Sequence, residues 1–449
     1  MQRKVWVYGW VFALAALGTW GCGGGGGGGG GDESGDVQGG DIPGNQMDIV
    51  VLAWNDLGMH CLNPTYDTAV LLPPYNTVWA QVVRRGNPPE IVTSGLTAEY
   101  RIVDNTYSYG KTDSFGGDYA QFWDNVQALF GTPLAQDTGL NLDDPQVHNG
   151  LSGQMLAKGD HFQVSGIPVT PVKDSGAWTA YQVAEVTVKQ GTTVVAQTRV
   201  TVPTSDEINC TRCHGNNAFQ DVLEAHDEDM GTNLLASTPV LCAGCHGSPA
   251  LGQSGPGSSG LYLSQAIHGF HATEGAACLD CHPGATTQCN RSLAHMGNPQ
   301  DGNCVTCHGT MQQVAQSIET GARIPWADEP NCVSCHTGVP GVDTGTTLYR
   351  NATGHGDIYC AACHHSPHAM YPSREASDNY QPVHYQSSNK TIGTCAVCHD
   401  SSHGEGGELE EFGEEHAGAN GRPTACRVCH TQVSTNTTAW PHAFRWRVR

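Results

Sequence analysis

From Ile49 to Val202 the chain runs in short apolar-rich stretches, several of which alternate apolar and polar positions, and beyond Ser205 these patterns stop. Ile49–Trp54, Thr77–Val83, Leu96–Val103, Tyr181–Val188 and Thr192–Val202 are rich in Val, Ile, Thr and Tyr, with Gly, Pro or Asn between them. A period of two puts successive side chains on opposite faces of an extended chain, so these stretches predict strands. A different period occurs once, where Tyr119, Phe122, Trp123, Val126, Leu129 and Phe130 recur at helical spacing ahead of Gly131 and Pro133. It predicts one helix, stopped by its glycine. The expected fold class is mixed. Residues 48–203 read as a β-rich domain with a sandwich as its expected form. Residues 204–449 read as an array of loops and short helices with little regular secondary structure.

Composition changes the picture. Hydrophobic residues make up 38% and aromatics 7% of 449 residues, while glycine reaches 57. Such a chain is partly unfolded, or its interior is filled by something other than side chains. The net charge of −22, from 43 acidic and 21 basic groups, argues against nucleic acid and fits cationic partners or surfaces.

The first residues read as a targeting segment. Arg3 and Lys4 precede an apolar run, Val5 to Leu17, of 13 residues, short for a bilayer and suited to a signal peptide. Cys22 follows, then nine glycines from Gly23 to Gly31, an arrangement that resembles a bacterial lipoprotein processing site. Thr19 and Trp20 depart from the residues usual before such a cysteine, and simple cleavage with Cys22 lost or unmodified is the alternative. The boundaries expected are a signal peptide at 1–22 and a Gly-rich acidic linker at 23–47, a coil reaching roughly 25–30 Å.

The chemistry lies in a five-residue repeat, Cys-x-x-Cys-His, that occurs eight times. Its cysteines are Cys210/Cys213, Cys242/Cys245, Cys278/Cys281, Cys304/Cys307, Cys332/Cys335, Cys360/Cys363, Cys395/Cys398 and Cys426/Cys429. The histidines are His214, His246, His282, His308, His336, His364, His399 and His430. This pentapeptide is the c-type haem attachment signature. Cysteines at i and i+3 put both sulfurs on one side of a single turn, where they can form thioethers with the two vinyl groups of a porphyrin. The adjacent histidine then faces the iron. Tetrathiolate zinc sites also use Cys-x-x-Cys, but zinc requires no histidine after every second cysteine. Eight covalently bound haems (iron) are therefore expected. Motif starts are 26 to 36 residues apart, too few to bury a core, so the porphyrins would supply the apolar interior and lie close together.

Fourteen further histidines are available as second axial ligands. His268 and His271 sit three apart after an apolar stretch and can share one helical face. His226, His355, His368, His416 and His442 fall between motifs or after the last, and His60 can reach in from the first domain. His295, His384 and His403 are reserves; His148 and His161 read as solvated, and His365 as a surface or propionate contact. Met59, Met230, Met296 and Met370 could serve as ligands but are not needed. Two other cysteines, Cys61 and Cys289, either bridge the first domain to the array or stay as separate thiols.

At its eight motifs the chain resembles the multihaem c-type cytochromes of anaerobic metal-reducing bacteria, whose surface members are often lipoproteins. Further matches are Asn55-Asp56-Leu57-Gly58-Met59-His60-Cys61, Pro325-Trp326-Ala327-Asp328-Glu329-Pro330, Gly354-His355-Gly356 and Ser366-Pro367-His368. They point to a subgroup with a haem-free N-terminal domain. The resemblance implies electron transfer to extracellular acceptors, at or beyond the outer membrane. The partners it implies are other redox proteins or a mineral, with membrane contact only through a lipid anchor; self-association into filaments stays open. Some octahaem relatives are enzymes, and those acting on nitrite typically carry a Cys-x-x-Cys-Lys haem, which this chain lacks. The first reading is thus an electron carrier rather than a substrate-converting enzyme. The alternative is a multihaem reductase of a small oxyanion or nitrogen compound with one open haem. The β-rich domain is either a binding module or a cap over the first haems.

Overall fold

The computed structural model describes residues 48–399 apart from 87, 209, 284–285, 296–303, 331 and 333–346. Several expectations lie outside the described residues: the leader with Cys22, the linker 23–47, Met296, Cys335, His336, His403, His416, Cys426, Cys429, His430 and His442.

The N-terminal region is β-rich. Its elements are β1 (Ile49–Trp54), β2 (His60–Cys61), β3 (Ala69–Val70), β4 (Asn76–Arg84), β5 (Glu90–Ile91), β6 (Thr97–Ile102), α1 (Ala120–Phe130), β7 (Ser152–Gln154), β8 (Leu156–Ala157), β9 (Phe162–Ile167), β10 (Tyr181–Gln190) and β11 (Thr193–Ser205). The rest carries α2 (Thr211–His214), α3 (Ala218–Met230), β12 (Val240–Leu241), α4 (Leu263–Thr273), α5 (Cys304–His308), α6 (Met311–Glu319), α7 (Cys360–His364) and α8 (Tyr380–Gln386).

One five-stranded sheet has the order β1-β4-β9-β8 with β5 on β4, and a second has the order β2-β11-β10-β6-β7. Ile49, Val51 and Ala53 of β1 share an apolar cluster with Val186 and Val188 of β10 and Val200 and Val202 of β11. The other face of β1 is covered as well. Val50, Leu52 and Trp54 join Trp79, Tyr359, Ala361, Tyr371 and Tyr385 in a second cluster. That explains the unbroken run Ile-Val-Val-Leu-Ala-Trp, because a strand buried on both faces has no polar side to alternate with. Each large apolar side chain sealed this way contributes roughly 1.5–3 kcal/mol. The array thus packs onto the β-rich region along β1.

The expected helix starts at Ala120 and ends at Gly131, whose φ of 72° gives the left-handed cap. β9 is not among the stretches expected to form strands, and it carries a glycine, Gly166, in its interior. That glycine permits a close approach: a Cβ there would lie 1.8 Å from the Leu140 carbonyl oxygen. The short β12 pairs in parallel with β3, so one strand from beyond Ser205 also joins the β-rich part.

A carboxylate pair, Asp206 buried and Asp113 half-buried, lies where α1 begins. The Tyr119 hydroxyl lies 2.6 Å from Asp206 Oδ2 and 2.9 Å from Asp113 Oδ2, and Trp178 Nε1 donates to Asp206 Oδ1 at 3.2 Å. Burial, then the neighbouring Asp113, pushes Asp206 up to about 7. Burial presses on Asp113 too, yet its hydrogen bonds hold it below the usual range. Asp206 therefore keeps its proton in the folded chain to higher pH than in the unfolded chain, where it titrates near 3.8. Its stabilising contribution is complete below 3.8 and is lost as pH rises through about 7. Asp206→Asn imitates the protonated acid. The variant is expected to gain about 1–3 kcal/mol on the parent between pH 5 and pH 8, the two matching only below 3.8. Urea unfolding at both pH values measures this, and parallel curves would rule out the retained proton.

Candidate functional site

The described Cys-x-x-Cys-His segments form single turns. α5 and α7 each span a whole motif, Cys210 precedes α2, and Cys242, Cys278 and Cys395 open 3-10 turns. The amides of His214, His246 and His282 donate to the carbonyls of Cys210, Cys242 and Cys278 at 2.9, 3.0 and 2.9 Å. Residues three apart on such a turn face the same side, which places the paired sulfurs together.

Burial divides the cysteines of these turns. Cys210, Cys242, Cys278, Cys304 and Cys360 open their motifs half-buried, and the second cysteines Cys281 and Cys363 are half-buried too. Cys213, Cys245 and Cys307 are exposed. Each comes at the end of its turn, two residues before the glycine at which the chain departs, while the first cysteine takes the inward side. Cys332 is exposed as well. Cys398 is half-buried. It packs with Cys363 of the sixth motif against the cluster around Trp54 and Tyr371, near enough to act on Cys363 electrostatically. The apolar face of β1 draws both turns to one place.

Each of five motif histidines faces an imidazole from elsewhere. His214 faces His271 with ring centres 6.3 Å apart, and His246 faces His226 at 6.3 Å. His282 faces His268 at 6.1 Å, His308 faces His368 at 6.2 Å, and His399 faces His355 at 6.1 Å. Rings packed in direct contact come closer, as His161 on Trp79 does at 4.6 Å. Two imidazoles bound to opposite sides of one metal through bonds of about 2 Å have ring centres roughly 6 Å apart. The five spacings fit one metal atom between each pair.

The rings are also aimed. His268 Nδ1 and His271 Nδ1 donate to the carbonyls of Ser264 and Ile267, four residues back on α4, at 2.7 and 2.8 Å. His368 Nδ1 donates to the Leu57 carbonyl at 2.9 Å, and His214 Nδ1 is 2.7 Å from Asp221 Oδ2. His246 Nδ1 is held by Ser259 Oγ at 2.9 Å and His226 Nδ1 by Thr232 Oγ1 at 2.9 Å. An Nδ1–H held this way fixes the tautomer and leaves Nε2 to coordinate, the outer-shell arrangement of metal-bound histidine. Burial and neighbouring imidazoles pull His282 down to about 4, and burial with His368 nearby does the same to His308. Both are neutral, as a ligand must be.

Among the described residues no three His, Cys, Asp or Glu side chains converge as a metal site. Two axial imidazoles need none, since a porphyrin supplies four further nitrogens in one plane. The paired rings and the two-sulfur turns beside them fit a haem.

The sites adjoin one another. His268 and His271, on the single helix α4, face different motifs, so that helix sets two pairs side by side. Arg212 of the first motif pairs with Asp280 of the third at 2.5 Å. His282 and His308 are close enough for each site to bear on the next.

The segment 55–61 holds the array to the β-rich region. Asn55 Oδ1 accepts from the Leu57 and Gly58 amides at 3.2 and 2.7 Å, closing a tight turn. From that turn Leu57 offers its carbonyl to His368 and Asn55 its carbonyl to Ser366 Oγ at 2.6 Å. Gly58 has a φ of 84°, and a Cβ there would meet Ser366 Cβ at 2.9 Å. The two separate sequence segments 55–61 and 366–368 are thus one docking contact. Their joint occurrence was the only sequence signal of it.

Three histidines differ from expectation. His60 does not stand opposite a described motif histidine. Its Nε2 is 2.8 Å from Asp56 Oδ1, and its ring neighbours Tyr75. Burial works to raise Asp56, but His60 holds it below the usual range, so the pair satisfies itself. His161 is buried rather than solvated, because it stacks on Trp79 and turns Nδ1 to Asp160 Oδ1 at 2.7 Å. His365 is buried rather than at the surface. A φ of 69° after α7 turns its ring against Tyr371, and burial pulls it down to about 4. His148 is exposed, as expected. His295 lies near Ser292, and His384 stacks on Tyr380.

Comparison with models of protein families, with curated proteins and with solved structures finds no match to this chain.

Proposed function

We propose that this protein is an exported multihaem c-type cytochrome that carries electrons, with one haem at each of its eight Cys-x-x-Cys-His turns. The observation that carries the reading is the set of five imidazole pairs spaced 6.1 to 6.3 Å apart, each joining a motif histidine to one from another segment. A bound haem supplies reversible one-electron chemistry at its iron, at a potential set by axial ligands, burial and nearby charge. The chain's own residues do the positioning. The cysteines anchor, Nδ1 contacts orient the distal rings, and paired ligands leave no open face at these five sites. A net charge of −22 favours low potentials and cationic partners.

The β-rich region, with two sheets over one apolar cluster, is proposed to be a sandwich that scaffolds the array. Among the described residues no helix is long and apolar enough to cross a membrane. The leader and Cys22 support attachment to the outer membrane by a lipid, with redox proteins or an extracellular acceptor as partners.

Haem quantitation and low-temperature EPR of the oxidised protein test this. Eight haems per chain are expected, all low-spin and unmoved by cyanide or nitrite. The signals should fall into two kinds. Imidazole planes crossed at 76° and 79°, in the pairs His214/His271 and His226/His246, leave the iron's two π-type d orbitals close in energy. Planes at 19°, 24° and 32°, in the other three pairs, split them. A protein without haem would end the proposal. One high-spin haem in eight that binds nitrite would turn the search to a reductase.

A further inference from the structure

Two cysteines stand outside every attachment motif, and the fold brings their segments together. Cys61 ends β2, which pairs in parallel with β11 so that Cys61 lies beside Ser205. Just beyond, Glu207 Oε2 accepts from the Thr287 amide at 3.0 Å, which draws the loop 287–291 onto the same edge. Arg291 ties the other side. Its Nη1 donates to the Gly58 carbonyl at 2.8 Å and reaches the Cys289 carbonyl at 3.3 Å, so one nitrogen spans both segments. Tyr181 adds a third tie, its hydroxyl accepting from the Gln288 amide at 2.9 Å. Both side chains are partly buried, and the Cys289 thiol is near enough to bear on Cys61 electrostatically.

We propose that Cys61 and Cys289 form a disulfide that clips the haem-bearing array to the β-rich region. This rests on the reading of the chain as exported, since such bonds persist in oxidising compartments. The two S–H bonds break and one S–S bond forms. The two protons and two electrons pass to a protein disulfide of a thiol oxidoreductase, whose S–S bond breaks as it leaves as a dithiol. Burial raises the Cys289 thiol to about 11 and lifts Cys61 further, so little thiolate remains once the loop is seated. Closure therefore comes while the loop is still docking. The clip closes a loop of more than two hundred residues, where a cross-link restricts the unfolded chain most.

The test uses the full-length haem-loaded protein, denatured without reductant in an alkylating reagent, digested and analysed by mass spectrometry. A peptide joining Cys61 to Cys289, with neither alkylated, is expected. Alkylation of both, or linkage of either to another cysteine, overturns the proposal. The double variant Cys61→Ser with Cys289→Ser gives a second readout. Its haem content should equal the parent's, while tryptic cleavage after Arg291 should quicken about tenfold or more. Unchanged cleavage would also overturn the clip. Haem counted on the same parent sample reports separately on the electron-carrier reading.

Discussion

Arg291→Ala should destabilise the protein by about 3–5 kcal/mol, the loss expected when one partner of a buried ion pair is removed. The guanidinium is 1% exposed and grips Asp378 through Nε to Oδ2 at 2.8 Å and Nη2 to Oδ1 at 3.1 Å. It also donates to the Gly58 carbonyl, and the Tyr181 ring lies 5.0 Å from it. Without it Asp378 keeps Ser373 Oγ, but its charge is stranded in the interior. Replacing both residues, Arg291→Met with Asp378→Leu, should recover most of the loss because no buried charge is left unpaired. Urea unfolding of the three proteins decides it. If the double variant is as weak as the single, the pair's value lies in its hydrogen bonds to the backbone and not in charge balance.

His368→Ala should convert one haem in eight to a high-spin form that binds cyanide, while the other seven stay low-spin. Its Nδ1 is held by Leu57 and its ring stands 6.2 Å from His308, so removal opens one face at a single site. The Leu57 carbonyl also loses its donor, a penalty of about 1–3 kcal/mol, which the neighbouring Ser366 contact should let the fold survive. His368→Met should keep six ligands and raise the potential of that one haem, since thioether ligation favours the reduced iron. Spectroelectrochemistry and EPR read the two variants. Spectra identical to the parent's would mean that His308 and His368 do not share an iron.

Much of the β-rich region was legible in the sequence, because its signals are local. β1 runs from Ile49 to Trp54 as the apolar run predicts, and Gly131 ends α1 as its position predicts. β9 was hidden because Gly166 serves a close approach and not a turn. That the Cys-x-x-Cys-His segments form single turns agrees with their spacing, but which of their cysteines are exposed, as Cys213, Cys245 and Cys307 are, depends on what each turn packs against. Among the paired imidazoles, His268 and His271 carried a local clue in being one turn apart on an apolar helix. The matching of His226 with His246, or of His355 with His399, is tertiary, and no spacing encodes it. His60 instead meets a local partner, Asp56, only four residues away, which its position between the domains did not announce. His161 misled because an aromatic platform on another strand, Trp79, shelters it.

The contact between Leu57 and His368 joins residues 311 apart in the chain. A chain released N-terminus first presents the Leu57 carbonyl long before its partner emerges, so the acceptor waits on a finished surface. Loop-closure entropy rises only with the logarithm of length, so the distance itself adds little penalty. What such a late contact does demand is a target that is already rigid. The turn at Asn55 and Gly58 has that property, closed by its own hydrogen bonds before the array arrives. The first 150 or so residues of the fold thus act as a jig on which the later segments are assembled, and errors made early there would be copied into the ligand geometry of sites several hundred residues downstream.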